Sequence, residues 1–208
     1  MSRNLLSFIP FLLLLVAWPG TAEAHQNEEK VRVIVSLHPA DLVTATGPLV
    51  ADVLILHEIP RGERANHLMA RFDIDRSGEL SPLEAQALSA EVGPETVGGY
   101  VLRFMGKPPR PTSLQTTATV TEVGGLAVAL MLVYDLPACT EAACRLAVDV
   151  LARPGGDELM VSRAMVVELQ VARSLKIVAS STVPDADAPV VGGKVEPGGP
   201  GMWVEVRP

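Results

Sequence analysis

From Lys30 onward apolar and polar side chains alternate, with Val31, Val33, Val35 and Leu37 on one side and Arg32, Ile34 and Ser36 on the other. A period of two is that of a strand with one face buried, and His38-Pro39 closes the run. The apolar stretch Leu49 to Leu56, after Gly47-Pro48, reads either as a second strand or as the start of a helical segment. Residues 99–105 predict a strand that ends in the turn Gly106-Lys107-Pro108-Pro109. Residues 116–123 and 126–134 predict a hairpin across Gly124-Gly125. Runs at 145–151, 159–171, 174–182 and 202–206 complete the set. Residues 159–177 also admit a helix, because Met165, Leu169 and Ala172 recur at near-helical spacing; the crowding of valines favours strands. About eight strands at this spacing predict a mainly β, sandwich-like fold, α+β overall because of one helical insertion. The Pro-, Gly- and acid-rich residues 184–200 read as a surface loop.

The insertion spans about residues 62–92, where the period changes. Leu68, Met69 and Phe72 make one face of a helix over Asn66 to Phe72. A second helix begins at Ser81-Pro82-Leu83-Glu84, a capping box with Ser81 as N-cap and proline in the first helical position. Leu83, Ala87 and Leu88 continue its apolar stripe, and Gly93-Pro94 predicts its end. Between the helices, oxygen-bearing groups recur at Asp73, Asp75, Ser77, Glu79, Ser81 and Glu84, with Gly78 at the sharpest turn. A hard cation such as Ca2+ needs six to eight oxygens. Asp73, Asp75 and Ser77 offer side chains, Glu79 a main-chain carbonyl, Ser81 a hydroxyl acting through water, and Glu84 a bidentate carboxylate. An Asp- and Gly-rich turn that caps the second helix without metal is the bland alternative.

The stretch Asp73 to Glu84 resembles the EF-hand family, whose D-x-[DN]-x-[DN]-G-x5-E pattern it meets at every fixed position except Ser77. The resemblance implies calcium binding. A serine in place of a charged residue, and the want of a partner hand, imply the low-affinity range of extracellular modules, about 10⁻⁴ to 10⁻³ M. The order of elements over Val31 to Asp135 also looks like the exported β-rich domains of hydrogenase/urease-accessory-type bacterial membrane proteins, a likeness that brings no catalytic residues with it.

Arg3, the apolar run Leu5 to Val16 and the small-x-small triplet Ala22-Glu23-Ala24 describe a signal peptide over residues 1–24, leaving 25–208 as an exported domain, periplasmic or extracellular. A net charge of -7 disfavours nucleic acid and anionic membranes as partners, and no later apolar stretch reaches the length of a bilayer span. The expected partners are calcium and a protein at the cell envelope. Cys139 and Cys144 predict a local disulfide, since neither C-x-x-C redox spacing nor further soft metal ligands are present. A G-x-S-x-G elbow, an H-E-x-x-H helix and a phosphate loop are all absent, so the chain reads as a non-enzyme. The rival metal reading is a copper site at a mature N-terminal His25, completed by one of His38, His57 and His67. A ligand-binding module with a metal-free capped turn is the remaining alternative.

Overall fold

The computed structural model describes residues 28–41, 47–140, 143–152, 164–183 and 189–208. The proposed signal segment, His25 and residues 159–163 lie outside them. The elements are β1 (Lys30–Pro39), β2 (Leu49–Ile59), α1 (Glu63–Phe72), α2 (Pro82–Val97), β3 (Tyr100–Phe104), β4 (Ser113–Val120) and β5 (Leu126–Leu136), followed by β6 (Cys144–Val150), β7 (Met165–Val171), β8 (Lys176–Ser180), β9 (Val190–Val195) and β10 (Met202–Arg207).

The fold is mainly β and sandwich-like, with a six-stranded sheet in the order β4-β5-β2-β1-β7-β9 and a four-stranded sheet in the order β3-β6-β10-β8. Alternation dictates the inner face of the large sheet. In β1 Val31, Val33, Val35 and Leu37 are buried, in β2 Leu49, Ala51, Val53, Ile55 and Ile59, and in β5 Leu126, Val128, Leu130, Leu132 and Leu136. These three strands run antiparallel in unbroken register, so each inward residue lies beside an inward neighbour. The apolar stretch from Leu49 is therefore a strand and not the start of a helix. The helical option for residues 165–171 also falls away, because β7 pairs with β1 in parallel from Val31↔Met165 to Leu37↔Val171.

Three sequence expectations are corrected. Residues 184–200 contain β9, antiparallel to β7, in place of an uninterrupted loop. The second helix does not stop at Gly93-Pro94 but runs to Val97 with Gly98 as its C-cap. Pro94 withholds an N–H from the carbonyl of Ala90 four residues back, and Ala90 is exposed, where water can satisfy it. The helix continues because burial outweighs this local cost, with Ala85, Leu88, Ser89, Val92, Gly93 and Thr96 forming its buried side. Leu83 and Ala87 are exposed rather than part of that stripe, while Leu88 is buried as expected. Packing at Gly93 is close, since a Cβ there would stand 3.0 Å from Leu130 Cδ2 on β5. The helix pair is thereby pressed onto the large sheet, with the Asp73–Ser81 loop held at its outer end.

Candidate metal centre

Ser81 caps α2 as the sequence predicts. Its hydroxyl accepts from the Glu84 N–H, and Glu84 Oε2 accepts from the Ser81 N–H at 2.9 Å. Glu84 Oε1 reaches across the loop to accept the Ile74 N–H at 2.7 Å. One buried carboxylate thus ties the start of the loop to the start of the helix. Opposite it, Asp73 accepts the N–H groups of Ser77 and Gly78, each at 3.0 Å, and Asp75 accepts the Ser77 N–H at 3.0 Å. Gly78 has φ 81°, a left-handed conformation that glycine adopts without penalty. Arg76 takes φ 57° in the same turn, an unusual conformation for a side-chain-bearing residue.

This folding brings together one carboxylate oxygen from each of Asp73, Asp75 and Glu84, all within 4.8 Å of one another. Asp75 is exposed, Asp73 half-buried and Glu84 buried. Three like charges at this separation repel unless a cation or hydrogen-bond donors compensate. Hydrogen bonding to Ser77 holds the Asp75 carboxyl below its ordinary 3.8. The Ser81 hydroxyl, followed by the N–H groups of Ser81 and Ile74, holds Glu84 below its ordinary 4.5, against the opposing charge of Asp75. Both carboxyls are therefore ionised at neutral pH, and each oxygen keeps a further lone pair for a cation.

The other three residues predicted as ligands are occupied differently. The Ser77 hydroxyl donates to the Glu79 carbonyl at 3.1 Å, so the proposed side-chain and main-chain ligands engage each other. The Ser81 hydroxyl is directed to its capping role. The donor set is oxygen throughout, which suits a hard cation such as Ca2+ or Mg2+.

The copper reading needs His25, which lies outside the described residues, together with one of His38, His57 and His67. His38 and His57 sit seven residues apart along the β1–β2 ladder, a separation of about 23 Å at strand rise. Both ring nitrogens of His38 are engaged, by the Pro39 carbonyl at 2.9 Å and Asp52 at 3.0 Å. His57 is buried, with Nδ1 2.8 Å from the Thr96 hydroxyl and Nε2 2.8 Å from Glu29 Oε2. His67 is exposed on α1.

His57 anchors a polar network that the sequence reading did not find. Arg64 donates to both oxygens of Glu29, at 2.9 and 2.7 Å, and to Glu95 at 2.6 Å. The network joins the approach to β1, strand β2 and both helices. Its carboxylate–imidazole–hydroxyl order is that of a proton relay, but Thr96 donates to the Val92 carbonyl at 3.1 Å and is only 3% exposed, closed to a substrate. It is an anchor for the helix pair. The one sequence signal was a histidine at an inward position of an alternating strand, since a polar group buried there needs partners.

No family model matches the chain, and no curated protein does.

Proposed function

We propose that this is an exported, non-catalytic β-rich protein that binds one calcium ion in the loop between α1 and α2, through Asp73, Asp75 and Glu84. The observation that carries the reading is the convergence of those three carboxylates within 4.8 Å on a helix–loop–helix. Ser77, Glu79 and Ser81 complete the proposed shell. The Glu79 carbonyl would serve as a ligand in place of its hydrogen bond with Ser77, and Ser81 would serve through water. Asp73, Asp75 and Glu84 would hold an ion that ties the start of the loop to the start of α2, and the helix pair so held is the surface offered to a protein at the cell envelope.

The test is calorimetric titration of the chain with calcium, beside melting curves in chelator and in excess calcium. One site per chain is expected. At about ten times the dissociation constant, binding adds roughly 1.4 kcal/mol, or about 3–6 °C in melting temperature for a chain of this size. Asp75→Asn is the cleanest variant, because it keeps an acceptor for the Ser77 N–H while removing one charge. We expect an affinity loss of at least about tenfold, or 1.4 kcal/mol. Glu84→Gln should lose at least as much, with an added fold cost, since one of two N–H groups loses its acceptor. Ser77→Asp should strengthen binding. Absence of calcium heat together with an unchanged melting curve would reduce the loop to a capped turn.

A further inference from the structure

Each sheet has two edge strands among the described residues, and they are not built alike. In the small sheet β3 has five residues and carries Arg103, while β8 has five, opens on Lys176 and pairs with β10 through a register shift. In the large sheet β9 has six residues, including Lys194 and two glycines. Shortness, charge and irregular register are the means by which proteins stop edges from pairing with other chains. The fourth edge, β4, has none of them. Its eight residues, SLQTTATV, carry no charge. They hold unbroken register with β5 from Ser113↔Val133 to Val120↔Leu126. Five of the eight are exposed, and Leu114 keeps 56% of its surface in solvent. Beneath this edge a groove of about 470 Å³ is lined by Pro82, Ala85 and Gln86 of α2 and by Leu114 and Thr116 of β4.

We propose that β4 is a self-pairing edge, by which two copies of this chain join antiparallel about a two-fold axis at Thr116 into one continuous sheet. Such an interface is isologous, each surface meeting its own copy. The two copies share inner and outer faces only if inward residues meet inward residues, and Leu114, Thr116 and Ala118 are the inward set. A two-fold at Thr116 sets Leu114 opposite Ala118 and Gln115 opposite Thr117. It also brings Arg110, just before the strand, to the same end of the seam as Glu122 of the other copy, just after it. Both are exposed, and neither makes an ion pair among the described residues. Antiparallel pairing therefore places opposite charges at each end of a seam that otherwise carries none, in a chain whose net charge of -7 opposes self-association elsewhere. Leu114 of each copy is covered by the other, over the α2 groove. A seam of this length falls at the small end of specific interfaces, below about 1,200 Å², so a concentration-dependent dimer is expected.

Sedimentation velocity of the whole chain across micromolar concentrations tests this. A monomer–dimer equilibrium is expected. Arg110→Glu and Glu122→Arg should each weaken it at least tenfold, and the two together should restore it. The chain has two cysteines and they are joined to each other, so Thr116→Cys introduces a lone thiol that should oxidise to a covalent dimer across the axis, whereas Thr119→Cys should not. A chain that stays monomeric at every concentration overturns the proposal and leaves the edge to an extended segment of another protein. A dimer that ignores the charge reversals, or that is not trapped through Thr116→Cys, overturns it too.

Discussion

At the scale of single residues, Glu84 carries the most. It is the third residue of its helix, accepts two N–H groups from either end of the loop and stands within reach of two further carboxylates. Its carboxyl and that of Asp75 are held below their ordinary values by donors that exist only in the folded chain. As pH falls, the unfolded chain therefore takes up protons first. The stabilisation from both groups is whole above the ordinary values of 3.8 and 4.5 and is lost as pH falls through the lowered ones. In chelator, the melting temperature should hold level on this account from about pH 7 to 5 and fall below about 4.5. Glu84→Gln should flatten part of that acid limb. An acid limb that is the same in both proteins would show that Glu84 has no depressed carboxyl to protonate. His38 works in the opposite sense. Its hydrogen bond to Asp52 raises it above 6.5, so its contribution is present below that value and fades as pH rises through the raised one.

At the scale of elements, the helix pair depends on a polar anchor as well as on its apolar face. From α1, only Ala65 and Leu68 are buried. Arg64 adds contacts to Glu29 and Glu95, and through Glu29 to the His57 imidazole on β2. Removing one partner of a buried ion pair costs about 3–5 kcal/mol, because the other charge is left without compensation. The Arg64 side chain is 32% exposed, so water recovers part of this. Arg64→Met is accordingly expected to destabilise the chain by roughly 1–3 kcal/mol, measured by urea unfolding. Glu95→Gln in the same chain should return a fraction of the loss, as coupled neighbours do. Unchanged stability in Arg64→Met would mean that the apolar stripe of α2 holds the helices unaided. A loop that orients two helices can matter to a partner only if those helices are seated, and this network joins both of them to β2 at the end of α2 away from the loop.

At the scale of the whole molecule, local pattern and long-range pairing were unequally legible. Alternation in β1, the hairpin between β4 and β5 and the capping box at Ser81 are properties of neighbouring residues, and all were readable. The twelve-residue spacing of the loop was readable for the same reason. The parallel pairing of β1 with β7 was not, since Arg32 and Val166 meet across a long stretch of intervening chain. Nor was β9, where glycines at 192 and 193 erase the alternation; a Cβ at Gly193 would come within 3.1 Å of Met202 Cε on β10, so the two sheets approach closely there. From β5 onward the chain crosses from one sheet to the other at every connection. The Cys139–Cys144 disulfide closes the first of these crossings, between β5 and β6. Cross-linking so short a loop removes little entropy from the unfolded chain, about 2 kcal/mol. Reduction should lower the melting temperature by roughly 4–8 °C for a chain of this size. Cys144 is buried, so reduction keeps both sulfur atoms in place and isolates the cross-link, whereas Cys139→Ala with Cys144→Ala also opens space in the core and should cost more. A melting curve unmoved after complete thiol titration would show that packing of the small sheet against the large one, and not the covalent bridge, fixes the crossing.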